Sequence, residues 1–98
     1  MGQFDVHRLS GGDLVVDCQS DLLSHLSTRV VVPLLPADEV PVRAARLNPI
    51  LGVNGEDRVL FTQFMAAVPR SELGQTVASL ADRSLEITSA IDVLVSGV

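Results

Sequence analysis

Over the first two thirds of the chain, apolar residues alternate with polar ones or gather in short runs. Alternation with a period of two is typical of strands that are buried on one face. It predicts strands over residues 3–9, 14–19, 28–32, 48–53 and 58–64. Residues 10–13 hold two adjacent glycines, and Asn54 with Gly55 favours a two-residue hairpin turn, because both residues tolerate positive φ. We therefore expect four to six strands, mostly antiparallel.

Proline interrupts the strongest of these strand patterns. Residues 28–32 hold four β-branched residues in five positions, a composition that is enriched in strands. Pro33 follows, and because it has no N–H to donate, we expect this part of the strand to lie at a sheet edge or a bulge. Residues 36–47 fit either a loop or a short peripheral strand. A further apolar run, 65–68, ends at Pro69.

The last third of the chain changes its period. Its apolar residues recur at i, i+3, i+4 and i+7, as on one face of a helix: Ile87, Ala90, Ile91 and Leu94. Ser79 with Asp82 resembles a capping box at the helix start, and Gly97 lies where the helix would end. The predicted fold is therefore mainly β with one C-terminal α-helix, in a single domain over residues 1–98.

The composition narrows the classes of function. With 98 residues, 47% of them hydrophobic, the chain can build one core and is too apolar for a disordered segment. Seven basic residues against 12 acidic ones give a net charge of −5, which argues against direct binding to a nucleic-acid backbone. Three Phe with no Tyr or Trp leave no stacking platform for bases.

The sequence also gives expectations about compartment and cofactors. The single cysteine, Cys18, excludes an intrachain disulfide or a cysteine metal cluster and fits a reducing compartment. The N-terminus lacks the pattern of a signal peptide, and no apolar run is long enough to span a bilayer. We expect a cytoplasmic protein with no membrane partner, no metal and no cofactor.

Residues with catalytic chemistry are present, but their spacing does not support a reaction. His7 and His25 lie in different segments with no third metal ligand at suitable spacing, so we expect both at the surface. Cys18 has no basic neighbour to lower its pKa, so we expect a small buried residue and not a nucleophile.

The remaining charged residues are scattered. Paired carboxylates in a cleft are needed for acid–base catalysis, and the sequence shows no such pair. Four acidic residues are therefore expected to be solvated: Asp17, Asp21, Asp38 and Glu39. Arg29, Arg58 and Arg70 could in principle converge on a phosphate, as in a small ribonuclease, but nothing else in the sequence supports that reading. We expect no enzymatic activity.

Two apolar features fit a partner surface better than a core. Leu22 and Leu23 are adjacent at the end of a strand, so the period of two directs one of them away from the core, unless a twist or bulge redirects it. The tail 93–98 is apolar on both sides of the helical stripe. An apolar surface beside a chain terminus indicates either an interface or a frayed end.

These residues resemble the CcdB family of toxins. Two blocks carry the resemblance, Gln-Ser-Asp-Leu-Leu at residues 19–23 and Met-Ala-Ala-Val-Pro at residues 65–69. Further similarity runs through residues 29–34, 77–83 and 87–98, whereas residues 36–60 match weakly. The family is the gyrase-poisoning component of toxin–antitoxin pairs. The resemblance implies an SH3-like barrel core of antiparallel strands with a small accessory sheet, a homodimer, and action by binding to the A subunit of DNA gyrase.

The resemblance also implies two sets of site residues. The gyrase-binding set is Leu22, Leu23, Asp92, Ser96, Gly97 and Val98. A CcdA-like antitoxin is implied to contact a second set, matched by position only: Leu9, Ser10, Gly11, Gly12, Asp13, Val42, Arg43 and Arg46.

Two departures from the family pattern keep other functions open. Ser96 stands where the family has a Trp that stacks on a gyrase Arg, a contact contributing on the order of 0.5–2 kcal/mol. Asp92 stands where Asn is common, and we expect its carboxylate to pair with a gyrase Arg and partly offset that loss. One alternative is a relative that retains antitoxin binding with weak or no gyrase poisoning. Another is an endoribonuclease, supported only by toxins of similar fold.

Overall fold

The computed structural model describes residues 2–97, which form seven β-strands and one α-helix. The elements are β1 (Asp5–Leu9), β2 (Leu14–Asp17), β3 (Thr28–Pro36), β4 (Ile50–Val53), β5 (Glu56–Leu60), β6 (Ala66–Pro69), β7 (Leu73–Ser79) and α1 (Ser84–Ser96). The prediction of a mainly β chain with one C-terminal helix is confirmed. No helix among residues 2–97 is long and apolar enough to cross a membrane.

All strand pairs are antiparallel, in the order β4-β5-β3-β2-β1-β7, and β6 also pairs with β3. Strand β3 changes partner along one side. Thr28 to Val31 pair with β6, and Leu34 to Pro36 pair with β5. Pro33 lies at the junction and pairs with β2 on the other side. The expectation of an edge strand is therefore wrong: β3 is interior, and the missing N–H falls where its partner changes.

The sheet curls into a half-barrel, and a side-chain hydrogen bond links the two ends of its strand order. Asn54 and Gly55 have φ of 51° and 82°, which confirms the predicted two-residue turn between β4 and β5. The Asn54 side-chain nitrogen donates a hydrogen bond to the Val77 carbonyl oxygen, 3.1 Å away. The turn at one end of the strand order is thereby joined to β7 at the other end.

The core lies between the concave face of the sheet and α1. Its fully buried members come from almost every element: Val6, Val16, Val32, Leu34, Leu51, Leu60, Ile87 and Ala90. On the helix, Ile91 packs partly against this core and Leu94 is 39% exposed. The predicted stripe therefore faces the core over its first half and reaches the surface towards the end of the helix.

The helix ends as predicted but begins later. Gly97 adopts φ 76°, and its N–H donates to the Val93 carbonyl 3.0 Å away, as in a left-handed helix cap. The Ser79 hydroxyl accepts a hydrogen bond from the N–H of Ala81, the first residue of a short 3₁₀ turn, at 3.3 Å, and so does not cap α1. The expectation of a capping box on α1 is wrong, because this 3₁₀ turn precedes the helix.

Two further segments differ from expectation. Strand β5 stops at Leu60, and Thr62–Phe64 forms a 3₁₀ turn. Strand β7 was not expected, because its middle residues, 74–76, are glycine or polar and show no apolar alternation; in the structure they are exposed. It forms because it pairs with β1. The two strands approach so closely at Gly74 that a Cβ there would stand 2.5 Å from the Arg8 carbonyl oxygen. Residues 40–49, the weakest part of the pattern, contain no strand.

Candidate functional site

An exposed pair of leucines lies on an ordered turn directly after β2. We call residues 20–24 the leucine turn; its centre, Asp21–Leu23, is a single turn of 3₁₀ helix. Leu22 is 89% exposed and Leu23 is 44% exposed. The prediction that at least one of the two leucines is exposed is confirmed, and both of them are. Such exposure of adjacent apolar side chains on a fixed backbone is typical of a binding surface.

Short side chains hold the start of the leucine turn. The Ser20 hydroxyl accepts a hydrogen bond from the Leu22 N–H at 3.2 Å, as a helix N-cap does. One Asp21 carboxylate oxygen accepts the N–H of Gln3, 2.8 Å away, which ties the turn to the chain just before β1. The Gln3 side chain in turn donates to the Cys18 carbonyl at 3.2 Å. The exposed leucines are therefore carried by a backbone with fixed partners on both sides.

A buried ion pair lies beneath the turn. Asp17, at the end of β2, and Arg29, near the start of β3, are both fully buried. Arg29 Nε and Nη2 each lie 2.8 Å from the same Asp17 carboxylate oxygen, Oδ2. Asp17 was expected to be a solvated acid, and that expectation is wrong because β3 brings Arg29 beside it. A buried charge needs such a partner.

Gln19 connects the ion pair to the leucine turn. Its N–H donates to the other Asp17 carboxylate oxygen at 3.0 Å, and its carbonyl accepts from Arg29 Nη2 at 3.4 Å. Its side-chain Oε1 accepts the Val30 N–H at 3.1 Å, and its Nε2 donates to the Leu23 carbonyl at 3.0 Å. Gln19 is 7% exposed. No role for Gln19 was expected from the sequence; the one available signal was its place in the Gln-Ser-Asp-Leu-Leu block.

The C-terminal members of the expected gyrase-binding set lie at the end of α1. Asp92, Ser96 and Gly97 are all exposed, and Val95 is 76% exposed. The Ser96 hydroxyl donates to the Asp92 carbonyl at 2.8 Å, so it is turned back onto its own helix. Val98 lies outside the described residues.

The residues matched to the antitoxin fall into two separate places. Residues 9–13 form the turn between β1 and β2, where Gly12 has φ 95°. Val42, which is 86% exposed, and Arg43 and Arg46 lie in the segment before β4. Arg8 and Leu14, which flank the 9–13 turn, line one cavity together with Asn54 of the β4–β5 turn, whereas the second segment precedes the start of β4. A partner that contacts both places must therefore reach both ends of β4.

A cleft of about 290 Å³ separates this second segment from α1. Its lining comes from both sides: Ala45, Arg46, Pro49, Leu85, Glu86 and Ser89. Leu85 is 80% exposed, an apolar side chain that the helical pattern did not single out. On the rim, the hydrogen bond from Arg83 lowers the pKa of Glu86 and raises that of Arg83.

The residues with catalytic chemistry do not assemble. His7 is buried, with Nδ1 3.0 Å from the Gly74 carbonyl, so its expected surface position is wrong; the β1–β7 pairing covers it. His25 is exposed, as expected. Cys18 packs partly against the core, and burial, together with the charge of Asp17, raises the pKa of its thiol to about 12. Such a thiol is a poor nucleophile at neutral pH.

The three arginines that could converge on a phosphate under the ribonuclease hypothesis also lie apart within one copy of the chain. Arg29 is enclosed in its ion pair. Arg58 pairs with Pro36 at one end of β3, and the Arg70 N–H donates to the Ser27 carbonyl at the other end. The backbones of Arg58 and Arg70 therefore lie at opposite ends of this nine-residue strand. Residues 2–97 also contain no group of three or more His, Cys, Asp or Glu side chains placed to hold a metal ion.

Solved structures of toxins share this fold. The chain is similar to an endoribonuclease from Mycobacterial species, with a TM-score of 0.78, 14% identity, and coverage of 94% of this chain and 88% of that one. It is similar to Mycobacterium tuberculosis toxin MazF-mt6, with a TM-score of 0.74, 17% identity, and 90% and 92% coverage. An endoribonuclease in complex with its cognate antitoxin, also from Mycobacterial species, matches with a TM-score of 0.77, 14% identity, and 94% and 91% coverage.

At 14% and 17% identity, the similarity establishes the fold class alone. This class is a curled antiparallel half-barrel with one C-terminal helix, and the toxin structures named above share it. The family follows from the sequence itself. The CcdB protein family matches residues 3–97, nearly the whole chain. The chain belongs to the CcdB family of toxins from toxin–antitoxin systems.

Proposed function

We propose that this chain is a gyrase poison. As a single toxin domain and a homodimer, it binds the A subunit of DNA gyrase in the cytoplasm and traps the cleaved DNA–gyrase complex. It acts by binding, without a catalytic group or cofactor of its own, and a CcdA-like antitoxin neutralises it. The observation that carries the proposal is the leucine turn of a CcdB family member, with Leu22 89% exposed on a hydrogen-bonded backbone.

The binding energy follows from that exposure. Transfer of a fully exposed leucine into an apolar pocket contributes about 1.5–3 kcal/mol. A homodimer carries two leucine turns and two C-terminal ends, Ser96 to Val98, so two symmetric copies of a weak surface act together. Asp92, exposed one turn before the helix end, supplies a carboxylate for a gyrase arginine.

Calorimetric titration into the dimerisation fragment of gyrase A tests the proposal. We expect one toxin dimer to bind one fragment dimer. Leu22→Asp should weaken binding by at least tenfold, since it places a charge where an apolar contact is proposed. Leu85→Asp is the matched control, because Leu85 is also a largely exposed leucine, 80% against 89%, but lies on α1. Equal loss in both variants, or no binding by the wild type, contradicts the proposal.

The tail is tested in the same titration. Deletion of Gly97 and Val98 should abolish binding and toxicity and lower the Tm only slightly, because it removes the Gly97 cap but leaves α1, which ends at Ser96. A deleted protein that stays fully toxic contradicts the assignment of the tail to the gyrase surface.

Ser96 favours a second candidate, a relative that binds antitoxin but poisons gyrase weakly or not at all. Its hydroxyl is bonded within α1 and offers no aromatic surface to a partner. Under this second reading, expression without antitoxin leaves growth unchanged; full growth arrest argues against it. If Asp92 offsets the missing aromatic, Asp92→Ala should weaken gyrase binding further, and an unchanged affinity contradicts that compensation.

The antitoxin is proposed to run along the β4–β5 hairpin, from the 9–13 turn to Val42, Arg43 and Arg46. The two arginines give this acidic chain a local cationic site for acidic residues of the antitoxin. Arg46→Glu should weaken antitoxin binding and leave gyrase binding unchanged. Because a protein of similar fold is an endoribonuclease, RNA cleavage is an alternative function to be tested. Intact cellular mRNA during growth arrest would eliminate it.

A further inference from the structure

Hydrogen bonds connect the buried cluster of Asp17, Gln19 and Arg29 to one place on the surface, the leucine turn. Asp17 accepts one hydrogen bond from Arg29 Nε and one from the Gln19 N–H, and its Oδ2 also lies 2.8 Å from Arg29 Nη2 in the ion pair. These bonds fix the Gln19 backbone. The Gln19 side chain then spans from the Val30 N–H at the start of β3 to the Leu23 carbonyl of the leucine turn, with distances of 3.1 and 3.0 Å.

A cluster of this kind is not required for stability. Replacing a buried ion pair with apolar residues of similar volume is often neutral or stabilising. Arg29 also leaves its Nη1 without a hydrogen-bond partner in the described structure, so the pair does not satisfy all of its own donors. Hydrogen bonds are directional, so these polar groups select one geometry of the leucine turn, whereas apolar packing would allow several.

We propose that Gln19 is a positioning residue, which orients the leucine turn for its target through the Nε2–Leu23 hydrogen bond. This inference rests on the proposed gyrase function. Leu22 and Leu23 make the contact, whereas Gln19 touches no partner and acts through the turn. The turn is thereby held in its binding geometry before the target arrives, so less conformational entropy is lost on binding.

One substitution separates this role from ordinary packing. Gln19→Glu keeps the oxygen that accepts the Val30 N–H and replaces the group that donates to Leu23 with a second oxygen. When ionised, this oxygen repels the Leu23 carbonyl. When protonated, the carboxyl group donates an O–H in place of the lost N–H. The charged groups around it are Asp17 and Arg29 beneath and Asp21 on the turn. Burial and the two carboxylates favour the protonated form of the new group, whereas Arg29 favours its ionised form.

The first readout does not need gyrase. Hydrogen exchange of the Leu23 and Ser24 amides, which donate to the Ser20 and Asp21 carbonyls, reports order in the turn. At about pH 8 we expect Gln19→Glu to lower protection of these amides about tenfold, the factor that corresponds to one hydrogen bond. At about pH 5 a larger fraction of the carboxyl group is protonated, so protection should return towards that of the wild type. Gln19→Met loses both side-chain bonds and should lose protection at both pH values.

The second readout is affinity for the gyrase A fragment, measured at the same two pH values with the wild type alongside. Gln19→Glu should bind about tenfold more weakly at the higher pH and recover at the lower one, with a Tm that stays above the assay temperature so that the variant is folded in both titrations. Gln75→Glu is the matched control: it makes the same chemical change at an exposed position on β7 and should alter nothing.

The two proposals fail in different ways. If the wild type does not bind the fragment, the gyrase proposal fails, and the exchange measurement still decides whether Gln19 orders the turn. If the wild type binds but Gln19→Glu keeps full affinity and full amide protection at the higher pH, the positioning role is wrong. A loss of affinity that follows the fall in Tm, with no recovery at low pH, makes Gln19 a structural residue only and also overturns it.

Discussion

The Asp17–Arg29 pair gives the sharpest prediction about stability. Both side chains are fully buried, so Arg29→Met leaves a carboxylate in the interior with no cation beside it. Removing one partner of a buried pair costs about 3–5 kcal/mol. A domain of this size is stable by about 5–15 kcal/mol in total. The variant should therefore lose about a fifth or more of its stability, and its Tm should fall by at least about 12 °C.

The assay is urea unfolding of Arg29→Met, Asp17→Asn and the double variant, followed by circular dichroism. Because both charges are absent from the double variant, it should lose less than the sum of the two single losses, by about 2 kcal/mol. The exposed Arg83–Glu86 pair on α1 is the control, since neutralising a surface pair changes stability little. A loss below about 1 kcal/mol for Arg29→Met, or single losses that simply add, refutes the reasoning.

Three further outcomes follow from single positions. Gly74→Ala should lower stability by about 1–3 kcal/mol, because its Cβ would stand 2.5 Å from the Arg8 carbonyl oxygen; Gly52→Ala, in open space on β4, is the control, and equal urea midpoints contradict this. Because burial raises the pKa of the Cys18 thiol to about 12, the folded state holds this proton more tightly than the unfolded state, so the free energy of unfolding should fall above about pH 9. A flat profile, or the same fall in Cys18→Ala, contradicts that cause. Gly97→Glu should abolish growth arrest and cost only about 1 kcal/mol of stability, since Gly97 is exposed with φ 76°; a toxic variant contradicts the tail assignment.

Local signals in the sequence were sufficient for several elements. Asn54 and Gly55 define their turn because few other residues accept positive φ twice in succession. Gly97 ends α1 for the same reason. The two glycine-containing positions restrict the backbone by residue type alone. For Leu22 and Leu23, the period of two predicted that one of them is exposed; both are exposed because they lie on a 3₁₀ turn, which the strand pattern did not predict.

Residues whose environment comes from a distant strand could not be predicted in this way. Asp17 and His7 were expected at the surface, and Arg29 was considered only as a possible phosphate ligand. The pairing of β2 with β3 and of β1 with β7 buries all three. Strand β7 has no apolar alternation in its centre and exists because β1 supplies hydrogen bonds. The link from Gln19 to Leu23 spans four residues, but its geometry depends on Val30 from the next strand.

The central claim is that this chain poisons gyrase through the leucine turn, and the most direct measurement is DNA cleavage. Supercoiled plasmid, gyrase and ATP are incubated with the toxin, and trapped complexes are released with detergent and protease. We predict that the wild type and Leu85→Asp accumulate linear DNA, whereas Leu22→Asp does not. The absence of linear DNA with the wild type, or equal amounts with both variants, would contradict the account.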